Sequence, residues 1–196
     1  MARIVKAKAL RGKNTVALAR WLLGKYLVRR GRKATRAWRI TETEAYHSVR
    51  DRACHASRGR TRRTATLFAA GGVWYVYLCY GMHEMLNLVT GPRDFPAAVL
   101  IRGVDGVTGP GRVTRALGVD RRLNGAQCAP ASGLWIEDRG GRVPRGAITA
   151  GPRVGVDYAG PVWAKKPWRF RLAAMNLAKP TPNHTTPTRR RERRRP

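Results

Sequence analysis

The feature that most constrains the fold is a pair of apolar runs, at residues 73–78 and 85–90, separated by a short stretch that contains Gly81. The first run is rich in aromatic and β-branched residues and has no proline, so its alternation predicts a β-strand with Tyr75 and Tyr77 on one face. Glycine adopts the positive φ that a chain reversal requires, and the second run is apolar enough to be the returning strand. The segment is therefore predicted to form a β-hairpin.

Tyr80 falls on the other face of the first strand, at or beside the tip of this hairpin, and Asn87 is predicted to lie opposite Tyr77. A protruding aromatic tip in a strongly basic chain indicates a wedge that enters between DNA bases. The alternative is that the tyrosines only pack a core, which is common in a tyrosine-rich strand. The strand alone does not decide between these two interpretations.

The charge of the chain bears on that choice. Forty lysines and arginines stand against 11 aspartates and glutamates, which gives a net charge of +29. Such an excess repels itself in a free protein, so it indicates a polyanionic partner. With 196 residues and 43% hydrophobic content, the chain is expected to form a single domain over residues 1–175, followed by a disordered basic tail over residues 176–196.

The cysteines and histidines follow no ligand or disulfide pattern. The cysteines are Cys54, Cys79 and Cys128, and the histidines are His47, His55, His83 and His184. Their scattered spacing predicts neither a disulfide framework nor a metal site and fits a reducing cytoplasm, with nucleoid association if the source is bacterial. No apolar run approaches the length of a membrane span, and the N-terminus lacks the apolar core of a signal peptide. We therefore expect a cytoplasmic protein with no metal and no membrane association.

The remaining elements predict a sheet with helices packed around it. Asn14 is expected to cap a helix over residues 15–23, and a second helix over residues 112–117 is expected to end at Gly118. Further strands are predicted at residues 26–29, 37–44, 97–104, 134–137, 153–156 and 168–172. The arginine-rich and glycine-rich stretch 49–63 is predicted to be a loop that faces phosphates.

The candidate chemistry lies at the end of the predicted strand 37–44. Acidic residues are scarce in this chain, yet Glu42 and Glu44 occur two residues apart on one strand face, which Tyr46 continues. A carboxylate surrounded by arginines is expected to stay ionised at neutral pH, which suits a general base that activates water. The alternative is that both carboxylates only form ion pairs with neighbouring arginines.

Several motifs in unbroken order between residues 16 and 172 resemble the alkyladenine DNA glycosylase family, also called 3-methyladenine or methylpurine DNA glycosylases. They are residues 42–46 (ETEAY), His55 followed by 57–61 (SRGRT), 75–77 (YVY), 80–82 (YGM), Asn87, 99–102 (VLIR), 109–110 (GP), 153–156 (RVGV) and 167–170 (PWRF). The resemblance implies an α+β fold, a single domain around a curved antiparallel β-sheet with a protruding hairpin. It also implies a monofunctional base-excision-repair enzyme without a cofactor, which flips damaged purines out of double-stranded DNA and hydrolyses the N-glycosidic bond.

The resemblance assigns a role to individual positions. Glu44 matches the general base, Arg102 matches its partner in holding the attacking water, and the carbonyl of Val154 matches a third ligand of that water. Tyr46, His55 and Tyr77 match the residues that enclose the flipped base, Asn87 the side chain that crowds the exocyclic amine of guanine, and Tyr80 the intercalating wedge. Contacts with the DNA backbone are expected from Arg58, Arg60, Arg62, Met82 and His83, and the protein is expected to act as a monomer.

Some positions depart from the family pattern. Arg62 and Thr64 stand where relatives usually carry proline and asparagine, Leu67 stands for a methionine, and residues 173–177 replace the family's last strand. None of these positions is the proposed catalytic group. Two other functions remain open at this point: a non-catalytic basic nucleic-acid-binding protein, and a bifunctional glycosylase with a lysine or N-terminal amine as nucleophile. The first leaves the spacing of Glu44, Arg102 and the tyrosines unexplained, and no lysine lies within the matched motifs.

Overall fold

The computed structural model describes residues 2–173, and these residues form an antiparallel β-sheet with helices packed against it. Within that range the elements are β1 (Arg3–Ile4), α1 (Thr15–Leu22), β2 (Tyr26–Arg30), β3 (Thr35–His47), β4 (Trp74–Cys79), β5 (His83–Val89), β6 (Ala97–Val104), β7 (Val107–Thr108), α2 (Pro110–Leu117), β8 (Leu134–Asp138), β9 (Ile148–Gly151), α3 (Pro161–Ala164) and β10 (Arg169–Leu172). The predicted α+β class is confirmed. The predicted basic tail, residues 176–196, lies outside the described residues.

The long strand β3 is the centre of the sheet. The main strand order is β1-β8-β2-β3-β6-β5-β4, and the sheet does not close on itself. The first half of β3 pairs with β2, whereas its second half has β6 on one edge and β10 on the other. The second half therefore has a neighbouring strand on each side, and it carries the two glutamates that the sequence singled out.

Helix α1 fixes which way those glutamates point. Asn14 caps the helix as predicted, because its side-chain oxygen accepts a hydrogen bond of 2.9 Å from the N–H of Ala17, a cap worth about 1 kcal/mol. The helix packs on β3, where the hydroxyl of Thr43 donates a hydrogen bond of 2.9 Å to the carbonyl of Ala19. Because side chains alternate along a strand, this contact directs Glu44 to the opposite face of the sheet.

The pairing of β3 with β6 is irregular beside these glutamates. Glu42 lies opposite Gly103 and Thr43 lies opposite Ile101, so Arg102 has no directly facing residue on β3. Bulges of this kind redirect a side chain and are frequent next to active sites. A Cβ atom at Gly103 would lie 3.0 Å from the Cβ of Glu42, so glycine permits the close approach of the two strands here.

The predicted hairpin is confirmed, but its predicted register is wrong. Asn87 lies opposite Tyr75, and Tyr77 lies opposite Met85. The pairing is symmetric about Gly81, because the chain reverses one residue earlier than the prediction assumed. Both tyrosines still share one face, since a shift of two residues along a strand preserves the side on which each side chain lies.

The predicted strand at residues 153–156 is also wrong. This segment is irregular, and β9, which ends at Gly151, pairs with β10 in its place. The alternating valines favoured a strand, but the side chain of Arg153 is committed to a buried ion pair with Asp51, which holds the segment in a different way. The predicted helix stop is confirmed, since Gly118 adopts a left-handed conformation with φ of 58°.

Two further findings concern membrane-spanning helices and clusters of metal-binding side chains. Among the helices in residues 2–173, none is long and apolar enough to cross a membrane. The same residues contain no group of three or more histidine, cysteine, aspartate or glutamate side chains arranged to hold a metal ion.

Candidate active site

One row of residues runs across four strands, and its members on β4, β5 and β6 line a pocket. Glu44 on β3 lies opposite Leu100 on β6, Leu100 lies opposite Asn87 on β5, and Asn87 lies opposite Tyr75 on β4. Directly opposed residues of a sheet place their side chains on the same face. Above this row lies a pocket of about 620 Å³, within the usual size range of small-molecule sites.

Glu44 is fully buried beneath the wall of this pocket. Its Oε1 accepts a hydrogen bond of 2.8 Å from the N–H of Val154, and its Oε2 accepts one of 2.8 Å from the hydroxyl of Tyr46. The Nε of Arg102 lies 3.5 Å from Oε1. Tyr46, Arg102 and Val154 all line the pocket, so each neighbour of the carboxylate has a surface toward the place where a ligand would sit.

Burial is the main influence on the protonation of Glu44. Loss of water around the carboxyl raises its pKa, while the charge of Arg102 and the hydrogen bonds from Val154 and Tyr46 lower it, and Glu42 raises it further; the net direction is upward. Burial therefore outweighs the charge of Arg102 in its effect on this pKa, because the carboxylate lies in the protein interior rather than on the cationic surface. A raised pKa makes the carboxylate a stronger proton acceptor once it is ionised.

Glu42 holds Arg102 in place. The Oε1 atom of Glu42 accepts a hydrogen bond from the Nε of Arg102 at 3.2 Å, and it lies 3.1 Å from the Nε of Arg169 on β10. The two glutamates thus have different surroundings: Glu42 lies between two arginines, whereas Glu44 contacts one arginine, one backbone amide and one tyrosine. The alternative that both carboxylates only form ion pairs fits Glu42 and does not describe Glu44.

The aromatic wall of the pocket comes from β4 and from the turn that begins at His55. The rings of His55 and Tyr77 meet edge to face, with centroids 4.6 Å apart. The Nδ1 of His55 lies 3.2 Å from the hydroxyl oxygen of Tyr75. Burial, followed by the charges of Arg63 and Arg58, lowers the pKa of His55 to about 4, so the imidazole is neutral at pH 7.

Asn87 is fixed by the hairpin that carries it. Its side-chain nitrogen donates hydrogen bonds to the carbonyls of Tyr75 at 3.3 Å and of Met85 at 3.2 Å. Both hydrogens of the amide are therefore used inside the hairpin, and within the part of the chain that the structure describes, only the amide oxygen is left for a ligand. Asn87 lines the pocket, and its contact with a base stays a prediction.

The tip of the hairpin is strained and exposed. Tyr80 has φ of 50° and Gly81 has φ of 69°, and the N–H of Met82 closes the turn on the carbonyl of Cys79 at 3.1 Å. Positive φ at both central residues is typical of the primed hairpin turns, but it costs a residue other than glycine about 1–2 kcal/mol. Tyr80 is nevertheless 87% exposed, so it gains little from packing in return.

The mouth of the pocket has two residues that the sequence analysis did not identify as site residues. Tyr158 is exposed, lines the pocket, and donates a hydrogen bond of 3.1 Å from its hydroxyl to the carbonyl of Ala53. Arg63 also lines the pocket, and its guanidinium lies 5.5 Å from the ring centroid of Tyr77. No local pattern distinguishes these two residues, since Tyr158 lies in a single 3-10 turn and Arg63 lies among many arginines.

The residues expected to contact the DNA backbone do not line the pocket, and they differ in their contacts. Arg58, Arg60, Arg62 and Met82 are exposed, and His83 is half-buried. Arg60 forms an ion pair with Asp94 and lies over the ring of Phe68, 4.6 Å from its centroid. The ring of His83 packs on Gly111 at the start of α2, where an added Cβ would lie 3.0 Å from the imidazole. Their contact with DNA stays a prediction.

Comparison with known proteins identifies the family. The family model described as methylpurine-DNA glycosylase (MPG) matches residues 9–109 and 105–176. A protein of Anaeromyxobacter dehalogenans strain 2CP-C, provisionally named 3-methyladenine DNA glycosylase, is 46% identical over 172 residues that cover 84% of this chain and 82% of that protein. The DNA-3-methyladenine glycosylase of Arabidopsis thaliana is 40% identical over 180 residues that cover 82% of this chain and 68% of that protein. The chain therefore belongs to the methylpurine-DNA glycosylase family.

Proposed function

We propose that this protein is a DNA-3-methyladenine glycosylase, a hydrolase that removes methylated purines from double-stranded DNA by cleaving the N-glycosyl bond. One observation carries the proposal: Glu44 is fully buried, and the three groups that contact it, Tyr46, Arg102 and Val154, all line the same pocket. A non-catalytic nucleic-acid-binding protein has no use for this arrangement.

The damaged nucleotide enters the pocket by leaving the duplex. Extrusion costs a few kcal/mol of pairing and stacking, and each aromatic ring that stacks on a base returns about 1–3 kcal/mol. Tyr46 and Tyr77 stack on the base in the pocket, and Tyr80 fills the gap that the base leaves. The exposure and the strain of Tyr80 support this role, because neither benefits the free protein.

Glu44 acts as the general base. A carboxylate offers about four lone-pair sites, and the Val154 N–H and the Tyr46 hydroxyl occupy two of them, so a water can bind to a third. Arg102 and the carbonyl of Val154 hold this water. Its oxygen bonds to C1′ of the sugar, its proton passes to Glu44, and the bond between C1′ and the purine nitrogen breaks with its electron pair going to the base.

Selectivity comes from the leaving base and from the polar groups of the pocket. Methylation at a ring nitrogen puts a positive charge on the purine, so the departing base becomes neutral and leaves readily. The neutral imidazole of His55 offers one hydrogen bond to the base, and the amide of Asn87, held by Tyr75 and Met85, crowds the amine that distinguishes guanine from adenine. Stacking alone would accept any purine.

The partner is DNA, and the net charge of +29 favours the duplex through its phosphates. The exposed arginines 58, 60 and 62 lie on the loop next to the pocket, where they contact the backbone on either side of the extruded nucleotide. Such contacts position the protein without reading sequence. The protein works as a monomer, since one chain supplies every group that the proposal uses.

The test is release of free base from duplex oligonucleotides that each carry one defined lesion. The set contains 3-methyladenine, 7-methylguanine, hypoxanthine and ethenoadenine, with an undamaged duplex as control, and the released base is identified by mass spectrometry. We expect release of at least one methylated purine, with an intact abasic strand left behind. Failure to release any of them, or strand cleavage through a covalent amine intermediate, would overturn the proposal.

A further inference from the structure

The side chain of Arg153 has no exposed area, in a chain that carries 40 lysines and arginines. Burial of a guanidinium costs several kcal/mol unless it is paired and hydrogen-bonded. Arg153 donates hydrogen bonds to both carboxylate oxygens of Asp51, at 2.5 and 2.9 Å, and to the carbonyls of Ala45 at 2.9 Å and Trp163 at 3.2 Å. Its Nε has no partner within residues 2–173.

Arg153 is next in sequence to Val154, and it binds the residue next to Glu44, so it lies beside both ends of the hydrogen bond between Val154 and Glu44. Arg153 precedes Val154, whose N–H donates to the Oε1 of Glu44 at 2.8 Å, and the carbonyl that Arg153 binds belongs to Ala45, the residue after Glu44. Residues 152–156 lie outside the strands, so ladder hydrogen bonds do not hold Val154 in place. The guanidinium thus joins the two backbone segments on which the Glu44 to Val154 hydrogen bond depends.

Asp51 extends this connection to the base pocket. Its carboxylate accepts hydrogen bonds from the N–H groups of His47 and Ala53, both at 3.1 Å. His47 ends β3, and Ala53 leads into the turn that presents His55. The guanidinium between them lies 4.8 Å from the ring centroid of Tyr46. One ion pair therefore touches the strand of the general base, the turn of the base pocket and the segment of Val154.

We propose that Asp51 and Arg153 are positioning residues, which hold the N–H of Val154 against the carboxylate of Glu44 and keep it aligned with the water site. The inference rests on the proposed function, because it assigns these residues to the reaction of Glu44. It does not make them catalytic residues, since neither touches the base or the water.

The proposal has a consequence for the pH dependence of the reaction. The hydrogen bond from Val154 lowers the pKa of Glu44 against the upward effect of burial, so its loss raises that pKa. The other charged or titratable groups that face Glu44 are Arg102, Tyr46 and Glu42. A general base works only when ionised, so weakening the ion pair moves the acid limb of the rate profile to higher pH.

The test uses Asp51→Asn and Arg153→Lys in the full-length protein. Asparagine keeps the shape of aspartate, and lysine keeps a charge without the two-pronged geometry of arginine. The control is Asp138→Asn, which breaks the ion pair between Lys25 and Asp138 at 2.7 Å on the far side of β2. Single-turnover release of the methylated purine that the wild type releases fastest from the set above is measured at saturating enzyme as a function of pH, together with the dissociation constant for the same duplex and the thermal unfolding of each variant.

We expect the acid limb of both variants to move upward by on the order of one pH unit, because a hydrogen bond to a charged group is worth about that much. Duplex affinity should stay within a few fold, and Asp138→Asn should leave the limb unmoved. Two results would overturn the inference: a lower rate in Asp51→Asn and Arg153→Lys with no shift in the acid limb of the pH–rate profile, or a shift of the same size in Asp138→Asn. If the wild type releases no base, or if Glu44→Gln keeps the wild-type rate, the proposed function itself fails.

Discussion

At the scale of single residues, burial changes the acid–base properties of the pocket in two opposite ways. It raises the pKa of Glu44, which strengthens a base, and it lowers the pKa of His55 to about 4. Both effects have one cause, since a low-dielectric environment disfavours whichever form of a group is charged. The pocket is therefore lined by an imidazole that is neutral at pH 7, and a carboxylate with raised proton affinity lies beneath its wall.

The lowered pKa of His55 predicts a pH-dependent contribution to stability. Above about pH 6.5, its ordinary pKa, neither folded nor unfolded His55 is protonated; between 6.5 and about 4, the unfolded chain binds a proton that the folded state resists, so stability falls as the pH falls. Substitution by the neutral amide in His55→Gln removes this contribution. We expect the difference in unfolding free energy between wild type and variant to change across that window, as measured by urea denaturation.

An independent measurement checks the same residue. The His55 resonance in an NMR titration should move with a midpoint near pH 4. Parallel stability curves for the wild type and His55→Gln between pH 4 and 6.5, or a midpoint at the ordinary value, would show that the imidazole is not desolvated.

Local motifs singled out individual residues, but they did not reveal the environments of those residues. The family resemblance, which those motifs carry, assigned roles to Glu44, Arg102 and Tyr77. The structure places Arg102 and Tyr77 in the lining of one pocket, with Glu44 beside Arg102, and their roles stay predictions. Arg153 pairs with a residue 102 positions away, so no local window contains both partners. The same holds for the hydrogen bond that Glu44 accepts from the N–H of Val154, 110 positions away.

At the scale of elements, the hairpin of β4 and β5 combines strain with exposure at its tip. Tyr80→Gly should relieve the cost of a left-handed conformation, about 1–2 kcal/mol, against an entropic cost of about 0.5–1 kcal/mol for glycine. We therefore expect the unfolding free energy of Tyr80→Gly to be equal to or slightly above that of the wild type. Extrusion of a fluorescent adenine analogue from duplex DNA should nevertheless decrease, because the ring no longer fills the gap.

The matched variant for this test is Tyr80→Ser, which removes the ring and keeps a side chain at the strained position. Extrusion should decrease as much as in Tyr80→Gly, while stability should not rise. An unchanged fluorescence signal in both variants would rule out the wedge.

The element boundaries show what sequence patterns resolve. The alternating residues of β4 and the cap at Asn14 predicted their elements directly, because each rests on a local physical preference. The predicted register of the hairpin is wrong by two residues. Tyr80 adopts a left-handed conformation that tyrosine disfavours and is part of the turn, whereas the predicted pairing placed the turn one residue later in the chain. Residues 153–156 were misassigned because their alternating valines fit a strand pattern. That pattern does not reveal that Arg153 forms a buried ion pair with Asp51.

At the scale of the whole molecule, the charge of +29 predicts binding to phosphates wherever arginines are exposed. Residues 189–195 contain six arginines and one glutamate. Deletion of residues 181–196 should weaken binding to damaged and undamaged duplex by similar factors, because phosphate contacts carry no lesion information. The slope of log affinity against log salt should flatten by about 0.9 for each phosphate that the truncated protein no longer binds.

Single-turnover excision at saturating enzyme should stay unchanged in this truncated protein, since every pocket residue precedes residue 170. Abolished excision at saturation, or an altered lesion preference with an unaltered salt slope, would mean that the C-terminal residues belong to the site. The family resemblance implied the α+β class, and the antiparallel sheet with helices packed against it confirms that class.

The central claim, that Glu44 is the general base, is tested most directly by Glu44→Gln with Glu42→Gln as its matched control. Both changes remove a carboxylate from the same face of β3, but only Glu44 contacts Tyr46 and the N–H of Val154. Single-turnover release of the methylated purine that the wild type releases fastest, and duplex affinity, are measured for both. We expect Glu44→Gln to abolish release while affinity stays within a few fold, and Glu42→Gln to be much milder. Near wild-type release by Glu44→Gln, or loss of release only in Glu42→Gln, would contradict the assignment.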